Sequence, residues 1–247
     1  MMNYNTMLAG LKDLVGGSAL ASLKDLVDNP TPRVPVALCL DVSGSMAGRP
    51  MEELNAGVAQ FLEEMRQDDM TLYSAETAVV TFANSATCVA DFDTADHIRA
   101  PRLEAYGFTN MGAGLTLALD LLEQRKKGYQ SAGVDYYQPI LVVMSDGVPN
   151  GDPRQLDAAV AQIQEQMDGR KLTVIAVGIG PDADMEMLHR LSRRRAVRLT
   201  GTQFREFFAW LSRSVASVSA SLPGDEPEPD LEALRALAAE PWPEDTL

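Results

Sequence analysis

The sequence predicts an α/β fold with a mainly parallel central sheet. From Val34 onwards, strand-like apolar runs alternate with segments whose apolar residues recur at helical spacing, which is the pattern of repeated strand–helix–strand units. The runs at residues 34–40 and 140–144 are almost continuously apolar, as is typical of parallel strands buried on both faces. Because parallel strands are joined by crossover helices, this alternation favours a doubly wound sheet flanked by helices.

The elements follow one another in a regular order. Strands are expected at residues 34–40, 77–83, 87–92, 140–144, 172–179 and near 197–199. Helices are expected to begin at Pro50, near Met111 and near Pro153, followed by a short helix near 184–191 and a last one with apolar residues from Phe204 to Val218. The short Asn84-Ser85 link predicts that the second and third strands form a hairpin.

Charge and hydropathy exclude several classes of partner. The chain has 247 residues and a formal net charge of -14, and an acidic surface repels phosphate backbones, so no nucleic-acid partner is expected. No apolar run approaches the roughly 18 residues of a membrane span, so no membrane partner is expected either. The two cysteines are too few for a disulfide framework, and the N-terminus lacks the basic start of a signal peptide. We therefore expect a cytoplasmic protein.

An N-terminal extension, residues 1–32, precedes the central domain expected at residues 33–221. An amphipathic stretch that starts at Leu8 recurs from Leu20, and each copy places its leucines on one helical face. This repeat predicts two short helices. They either pack on their own domain or bind a partner.

The C-terminal segment, residues 222–247, is an acidic tail. It contains eight acidic residues, one basic residue and five prolines, so it is expected to bury little apolar surface. Within it, a short helix with an apolar stripe is compatible with the spacing of Leu231, Leu234, Ala238 and Trp242.

Oxygen donors follow two of the expected strands and occupy one loop that enters a helix. Asp41, Ser43 and Ser45 come after the first strand, Asp146 follows the run at 140–144, and Thr109 lies in a glycine-flanked loop. Ligands in such sheets bind at the carboxyl ends of the strands, so these side chains are expected to converge. A set of carboxylates and hydroxyls without His or Cys suits Mg²⁺, Mn²⁺ or Ca²⁺ and disfavours zinc.

The first fragment alone leaves two interpretations open. Asp41, Ser43 and Ser45 would fit a capped turn, in which the aspartate accepts backbone N–H bonds, as well as they fit a metal site. Thr109 and Asp146, each at the expected place in the order of strands and helices, favour the metal site.

These motifs resemble those of the von Willebrand factor type A domain, over about residues 34–220. In that family they form the metal-ion-dependent adhesion site. The resemblance implies that Ser43 and Ser45 would ligate a divalent cation through their hydroxyls, Thr109 directly or through water, and Asp41 and Asp146 mostly through water. It also implies a Rossmann-like six-stranded sheet in the order 3-2-1-4-5-6 with the third strand antiparallel, consistent with the expected hairpin.

A narrower resemblance is to the bacterial TerY-like group, which is linked to tellurite resistance. Its motifs lie at residues 79–83, 139–149, 177–180 and 207–212. This resemblance implies a role in a stress-response or defence system, with a kinase or a phosphatase of the same system as candidate partners.

The function expected from these observations is that of a non-enzymatic adaptor. A Mg²⁺ ion with few direct protein ligands keeps a coordination position open, which an acidic side chain of a protein partner can fill. Two alternatives remain. A metal-dependent phosphohydrolase of the haloacid-dehalogenase type also has acids at strand ends, but it needs a second aspartate where this sequence has Ser43. The other alternative is a scaffold with the same fold and no metal.

Overall fold

The structure alternates strands and helices through most of the chain. It is a computed structural model that describes residues 29, 31–193, 195–200, 203–221, 227 and 229–237. The strands are β1 (Val34–Asp41), β2 (Ala75–Phe82), β3 (Ala86–Thr94), β4 (Ile140–Ser145), β5 (Thr173–Ile179) and β6 (Val197–Leu199). The α-helices are α1 (Arg49–Gln67), α2 (Thr71–Ser74), α3 (Met111–Ala132), α4 (Pro153–Asp168), α5 (Met185–Leu191), α6 (Gln203–Ser219) and α7 (Leu231–Leu237). A 3-10 turn, Gly44–Met46, follows β1.

In the described part of the chain, the strands form one six-stranded sheet in the order β3-β2-β1-β4-β5-β6. β1 pairs in parallel with β2 and β4, and β5 pairs in parallel with β4 and β6. β3 pairs antiparallel to β2 through the predicted hairpin. The predicted α/β fold, the strand order and the antiparallel third strand are therefore confirmed.

The sheet divides the hydrophobic core in two, and β1 contributes to both halves because its side chains alternate between the two faces. Leu38 and Leu40 belong to a cluster that includes the apolar faces of α1 and α6. Ala37 and Cys39 belong to the opposite cluster, with α3, α4 and α5. Helices thus cover both faces, and every residue of β1 is buried.

β2 begins at Ala75, two residues before the expected start at residue 77, and therefore includes Glu76. A glutamate in an apolar run reads as the end of a strand, yet the side chain of Glu76 is 0% exposed. Its carboxylate accepts hydrogen bonds from Arg33, Arg125 and Tyr129, so the burial of its charge is compensated by partners distant in sequence.

Part of the acidic tail is packed against the domain. The side chain of Leu234 on α7 is 1% exposed and belongs to the cluster that contains α1 and α6. Trp210 Nε1 donates a 2.8 Å hydrogen bond to the carbonyl of Asp230, and Gln203 Nε2 donates one of 3.1 Å to the carbonyl of Leu237. The expectation that the tail buries little is therefore wrong for residues 231–237. The cause is the three-residue spacing of its leucines, which forms an apolar helical stripe.

Leu234→Ala is expected to loosen this attachment. Removing the buried side chain leaves a seven-residue helix without its main apolar contact, and so short a helix is not stable by itself. Hydrogen exchange at the amides of residues 231–237 should become at least about tenfold faster, while exchange in β1 should be unchanged. Equal protection of α7 in both proteins would show that Leu234 does not hold it.

The predicted N-terminal helices fall on residues 1–28 and lie outside the described residues, as does Trp242. Residues 29, 31 and 32, at the end of the extension, are described. Arg33 donates hydrogen bonds to the carbonyls of Asn29 (2.9 Å) and Thr31 (2.8 Å). Among the helices that the structure describes, none combines the length and the apolar character that crossing a bilayer requires.

Candidate metal centre

The carboxyl ends of β1 and β4 lie side by side at one edge of the sheet. The two strands pair in parallel, with Leu40 opposite Met144. Asp41 therefore ends β1 next to Ser145, which ends β4, and Asp146 follows in the next loop. We refer to the place where these loops meet as the β1–β4 edge.

Asp41 is anchored at this edge by two hydrogen bonds. Its Oδ1 accepts from the backbone N–H of Ser43 at 2.8 Å, and its Oδ2 accepts from the hydroxyl of Ser145 at 2.6 Å. The side chain is 0% exposed. The first bond is the capped turn that the sequence allows, so that interpretation and a metal site are compatible at Asp41.

Ser43, Ser45 and Asp146 form a continuous chain of polar contacts. The Oγ atoms of Ser43 and Ser45 are 3.0 Å apart, and Ser45 Oγ donates a 2.8 Å hydrogen bond to Asp146 Oδ1. Ser43 is buried, whereas Ser45 is exposed, so one end of the chain is open to solvent.

Thr109 joins the same group from the loop before α3. A Cβ placed on Gly147 would lie 4.0 Å from Thr109 Oγ1 and 3.9 Å from Ser45 Oγ, so both hydroxyls line the space beside Gly147. The backbone of Thr109 is held by Asn150: Thr109 N donates to Asn150 Oδ1 at 2.9 Å, and Asn150 N donates to the Thr109 carbonyl at 3.1 Å.

The structure thus brings all five predicted residues, Asp41, Ser43, Ser45, Thr109 and Asp146, to one edge of the sheet. In the part of the chain that is described, no group of three or more His, Cys, Asp and Glu side chains is arranged to hold an ion. The set at the β1–β4 edge is of a different kind, since it has two carboxylates and three hydroxyls.

Burial shapes the electrostatics of the two carboxylates. Desolvation raises the pKa of Asp41 from 3.8 to about 6, although the hydrogen bonds from Ser145 and Ser43 act in the opposite direction. Desolvation also raises the pKa of Asp146, with the hydrogen bond from Ser45 opposing it. Both carboxylates therefore lie where a nearby positive charge would stabilise their ionised forms.

Two residues that position the site, Ser145 and Asn150, were not predicted from the sequence. Ser145 donates a hydrogen bond to Asp41, and the available signal was its position at the start of the Ser-Asp-Gly stretch, where β4 ends. Asn150 clamps the backbone of Thr109, and a contact between residues 41 positions apart leaves no local pattern.

The arginine-rich segment at residues 190–198 makes contacts within the domain. Arg190 pairs with Asp157 at 3.0 Å, Arg193 pairs with Asp168, and Arg198 donates a 2.8 Å hydrogen bond to the carbonyl of Gly180. These contacts tie the segment to α4 and to the end of β5.

One cleft in the described part of the chain lies away from the five residues. It has a volume of about 900 Å³ and is lined by the segments that lead into β1, β4 and β5, among them Pro32, Pro139 and Lys171. Those segments lie at the opposite end of the strands from the β1–β4 edge.

Comparisons with known proteins agree with this fold. The sequence profile of the von Willebrand factor type A domain matches residues 36–208. Inter-alpha-trypsin inhibitor heavy chain H2 of Mus musculus is 26% identical over 183 residues, which are 71% of this chain and 19% of that protein. Heavy chain H3 of Homo sapiens is 22% identical over 165 residues, 65% of this chain and 18% of that protein. The chain spans about a fifth of the length of these curated relatives.

Solved structures show the same architecture. A von Willebrand factor type A protein from Catenulispora acidiphila matches with a TM-score of 0.54 at 21% identity, covering 75% of this chain and 43% of that one. The open conformation of the pilus adhesin SpaC from Lactobacillus rhamnosus GG matches with a TM-score of 0.60 at 14% identity, covering 76% of this chain and 30% of that one. At such identities the likeness concerns the fold. With the profile match over most of its length, the chain belongs to the von Willebrand factor type A domain family.

Proposed function

We propose that this protein is a non-enzymatic adaptor that binds a protein partner through a divalent cation held at the β1–β4 edge. Ser43, Ser45 and Thr109 would hold the ion through their hydroxyls, and Asp41 and Asp146 would supply the negative charge around it. When bound, the ion would supply a positive charge with an open position for a carboxylate of the partner.

The chemistry of the donor set supports Mg²⁺, Mn²⁺ or Ca²⁺. All five side chains offer oxygen, and hard cations prefer oxygen ligands. The contacts from Ser43 through Ser45 to Asp146 already bring three of these side chains together. The pKa values of Asp41 and Asp146 are raised, so a bound cation would stabilise the ionised forms of both carboxylates. The contacts among Ser43, Ser45 and Asp146 are the observation that most supports the proposal.

The family supports the general class of function. Domains of this family commonly mediate protein–protein interaction, often in a metal-dependent way. Among the similar proteins are heavy chains of inter-alpha-trypsin inhibitor and, by its fold, a protein described as a pilus adhesin. The family therefore supports a protein-interaction role for this chain, and the ion and the acidic partner are our extension of it.

For the biological setting, we propose a cytoplasmic stress-response or defence system of the TerY-like type. The support is the motif resemblance at residues 79–83, 139–149, 177–180 and 207–212. On this proposal the partner is a kinase or a phosphatase of the same system that presents an acidic side chain.

Capture experiments test the proposed function. The immobilised full chain should retain its partner from a lysate of its own source organism in Mg²⁺ and release it in EDTA. The Ser45→Ala variant should not retain the partner in Mg²⁺. Asp152→Asn is a matched control, because Asp152 caps α4 from an exposed position outside the group of five. Retention of the same proteins in EDTA and by Ser45→Ala would favour the metal-free scaffold.

The phosphohydrolase alternative requires Asp41 to act as a nucleophile. Both of its oxygens already accept hydrogen bonds, from Ser43 N and Ser145 Oγ, and the side chain is 0% exposed. This arrangement orients Asp41 as an acceptor within the site and not towards a substrate. Phosphoester hydrolysis that disappears in Asp41→Asn would overturn the adaptor proposal.

Mg²⁺ affinity is expected to fall as the pH drops below the pKa of Asp41, about 6. Without an ion this pKa exceeds the ordinary 3.8, so between these pH values the folded chain holds an extra proton and its stability falls as the pH rises. A cation competes with that proton, so titration calorimetry one pH unit below the pKa should show roughly tenfold weaker binding than at neutral pH. Equal affinity at both pH values would mean that Asp41 does not contribute its charge.

A further inference from the structure

Exposed hydrophobic side chains concentrate beside the β1–β4 edge. Among the described residues, the strongly exposed large hydrophobic side chains are Met70, Tyr73, Val89, Tyr106, Phe108 and Val148. The two with the highest exposure, Phe108 at 70% and Val148 at 64%, directly precede Thr109 and directly follow Gly147. Single exposed hydrophobic residues are ordinary, but their concentration around one site marks an interaction surface.

The loop that presents Phe108 is held in place by its backbone. Tyr106 N donates to the carbonyl of Val42 at 2.7 Å, and Gly44 N donates to the carbonyl of Gly107 at 3.0 Å. Phe108 N donates to Asn84 Oδ1 at 2.9 Å. The ring therefore faces solvent from a fixed backbone, so little conformational entropy would be lost when a partner covers it.

Gly107 makes this arrangement possible. Its φ of +70° favours glycine, and a Cβ there would lie 2.4 Å from Asn84 Oδ1. A side chain at this position would push away the acceptor that holds Phe108.

The two exposed side chains flank the same group of oxygens. The reciprocal hydrogen bonds between Thr109 and Asn150 join the loop of Phe108 to the loop of Val148. A Cβ placed on Gly147, the residue before Val148, would lie 4.0 Å from Thr109 Oγ1. Phe108 and Val148 thus lie on the two loops that enclose the predicted ion site.

We propose that Tyr106, Phe108 and Val148 form an apolar rim that takes a partner segment in which one acidic residue is flanked by large apolar side chains. The acidic contact rests on the proposed function, and the apolar contact rests on the exposure of the rim. Aromatic and aliphatic anchors at the centre of an interface gain most from being covered.

Charge favours this occupant over a run of acids. The chain has a net charge of -14, so a segment with many carboxylates would be repelled at long range. One carboxylate with apolar neighbours meets the least repulsion and gains from covering the rim.

Three labelled peptides of equal length test this inference with the full chain in Mg²⁺. The first has one Asp between leucines, the second has one Asp between serines, and the third has one Asn between leucines. Fluorescence anisotropy should show the first binding about tenfold or more tightly than either of the others. Phe108→Ser should weaken the first peptide about tenfold and leave the second unchanged. Val89→Ser, which removes an exposed side chain from the middle of β3, is the matched control and should change neither.

The outcomes separate the rim from the ion. Calorimetry should find the same Mg²⁺ affinity in Phe108→Ser as in the unmodified chain. If the first two peptides bind equally, if Phe108→Ser binds the first peptide normally, or if no peptide binds, the inference is overturned. If the first and third peptides bind equally well and without Mg²⁺, the rim stands and the ion-mediated contact of the proposed function is wrong.

Discussion

Asp41→Asn is expected to weaken Mg²⁺ binding about 10–100-fold, the range typical of residues that support metal ligands without dominating the coordination. Asparagine has nearly the same shape, and its oxygen can still accept the hydrogen bond from Ser43 N. The change removes the buried negative charge, and it places an NH₂ donor where Asp41 Oδ2 accepted the hydrogen bond from Ser145 Oγ. The rotatable hydroxyl of Ser145 can accept a hydrogen bond from that donor in turn. Titration calorimetry of both proteins with Mg²⁺ measures the difference.

Asp152→Asn is the control for this experiment. It removes one unit of negative charge from the N-terminus of α4, outside the group of five, and should alter Mg²⁺ affinity by no more than about twofold. An equal loss in both variants would mean that overall charge, and not the position of Asp41, determines the affinity.

The largest effect on stability is expected at Glu76. This side chain is fully buried, and its carboxylate is paired with Arg33 Nε at 2.8 Å and with Arg125 Nε at 2.5 Å. Tyr129 Oη also donates to it at 2.5 Å, and burial followed by the charge of Glu76 raises the pKa of that tyrosine. Glu76→Gln leaves the equally buried Arg33 without a counter-charge, which should lower the free energy of unfolding by about 3–5 kcal/mol.

Glu63→Gln provides the comparison for Glu76. Glu63 pairs with Arg66 on the surface of α1, where the two side chains are 57% and 30% exposed, so its loss should cost less than about 1 kcal/mol. Urea unfolding of the two variants measures both values. Similar small losses would contradict the account of Glu76 as a buried pairing centre.

The strands and helices could be predicted from the residue pattern, but the order of the strands in the sheet could not. The continuously apolar runs of β1 and β4 indicated buried parallel strands, and the helical stripes indicated the layers around them. The strand order came from the motif resemblance, because periodicity shows which segments are strands and not which strands are neighbours. The sheet confirms that order.

Contacts between distant residues account for what the sequence did not reveal. Glu76 extends β2 because Arg33, Arg125 and Tyr129 surround it, and none of these is near it in sequence. The packing of Leu234 depends on α6, which a proline-rich acidic composition does not indicate.

The site divides in the same way. Asp41, Ser43 and Ser45 form a local pattern, and their order with Thr109 and Asp146 was enough to place all five at one edge. Asn150, which holds Thr109, and the exposure of Phe108 depend on how two loops meet. Such contacts between loops can be recognised only in the folded structure.

The proposed function depends on a divalent cation that the five residues at the β1–β4 edge hold. Anomalous diffraction from crystals of the full chain grown with Mn²⁺ tests it most directly. We expect one anomalous peak in contact with the hydroxyls of Ser43 and Ser45, beside Thr109, Asp41 and Asp146. Well-defined side chains without a peak between them, with Ser45 still donating its hydrogen bond to Asp146, would contradict it.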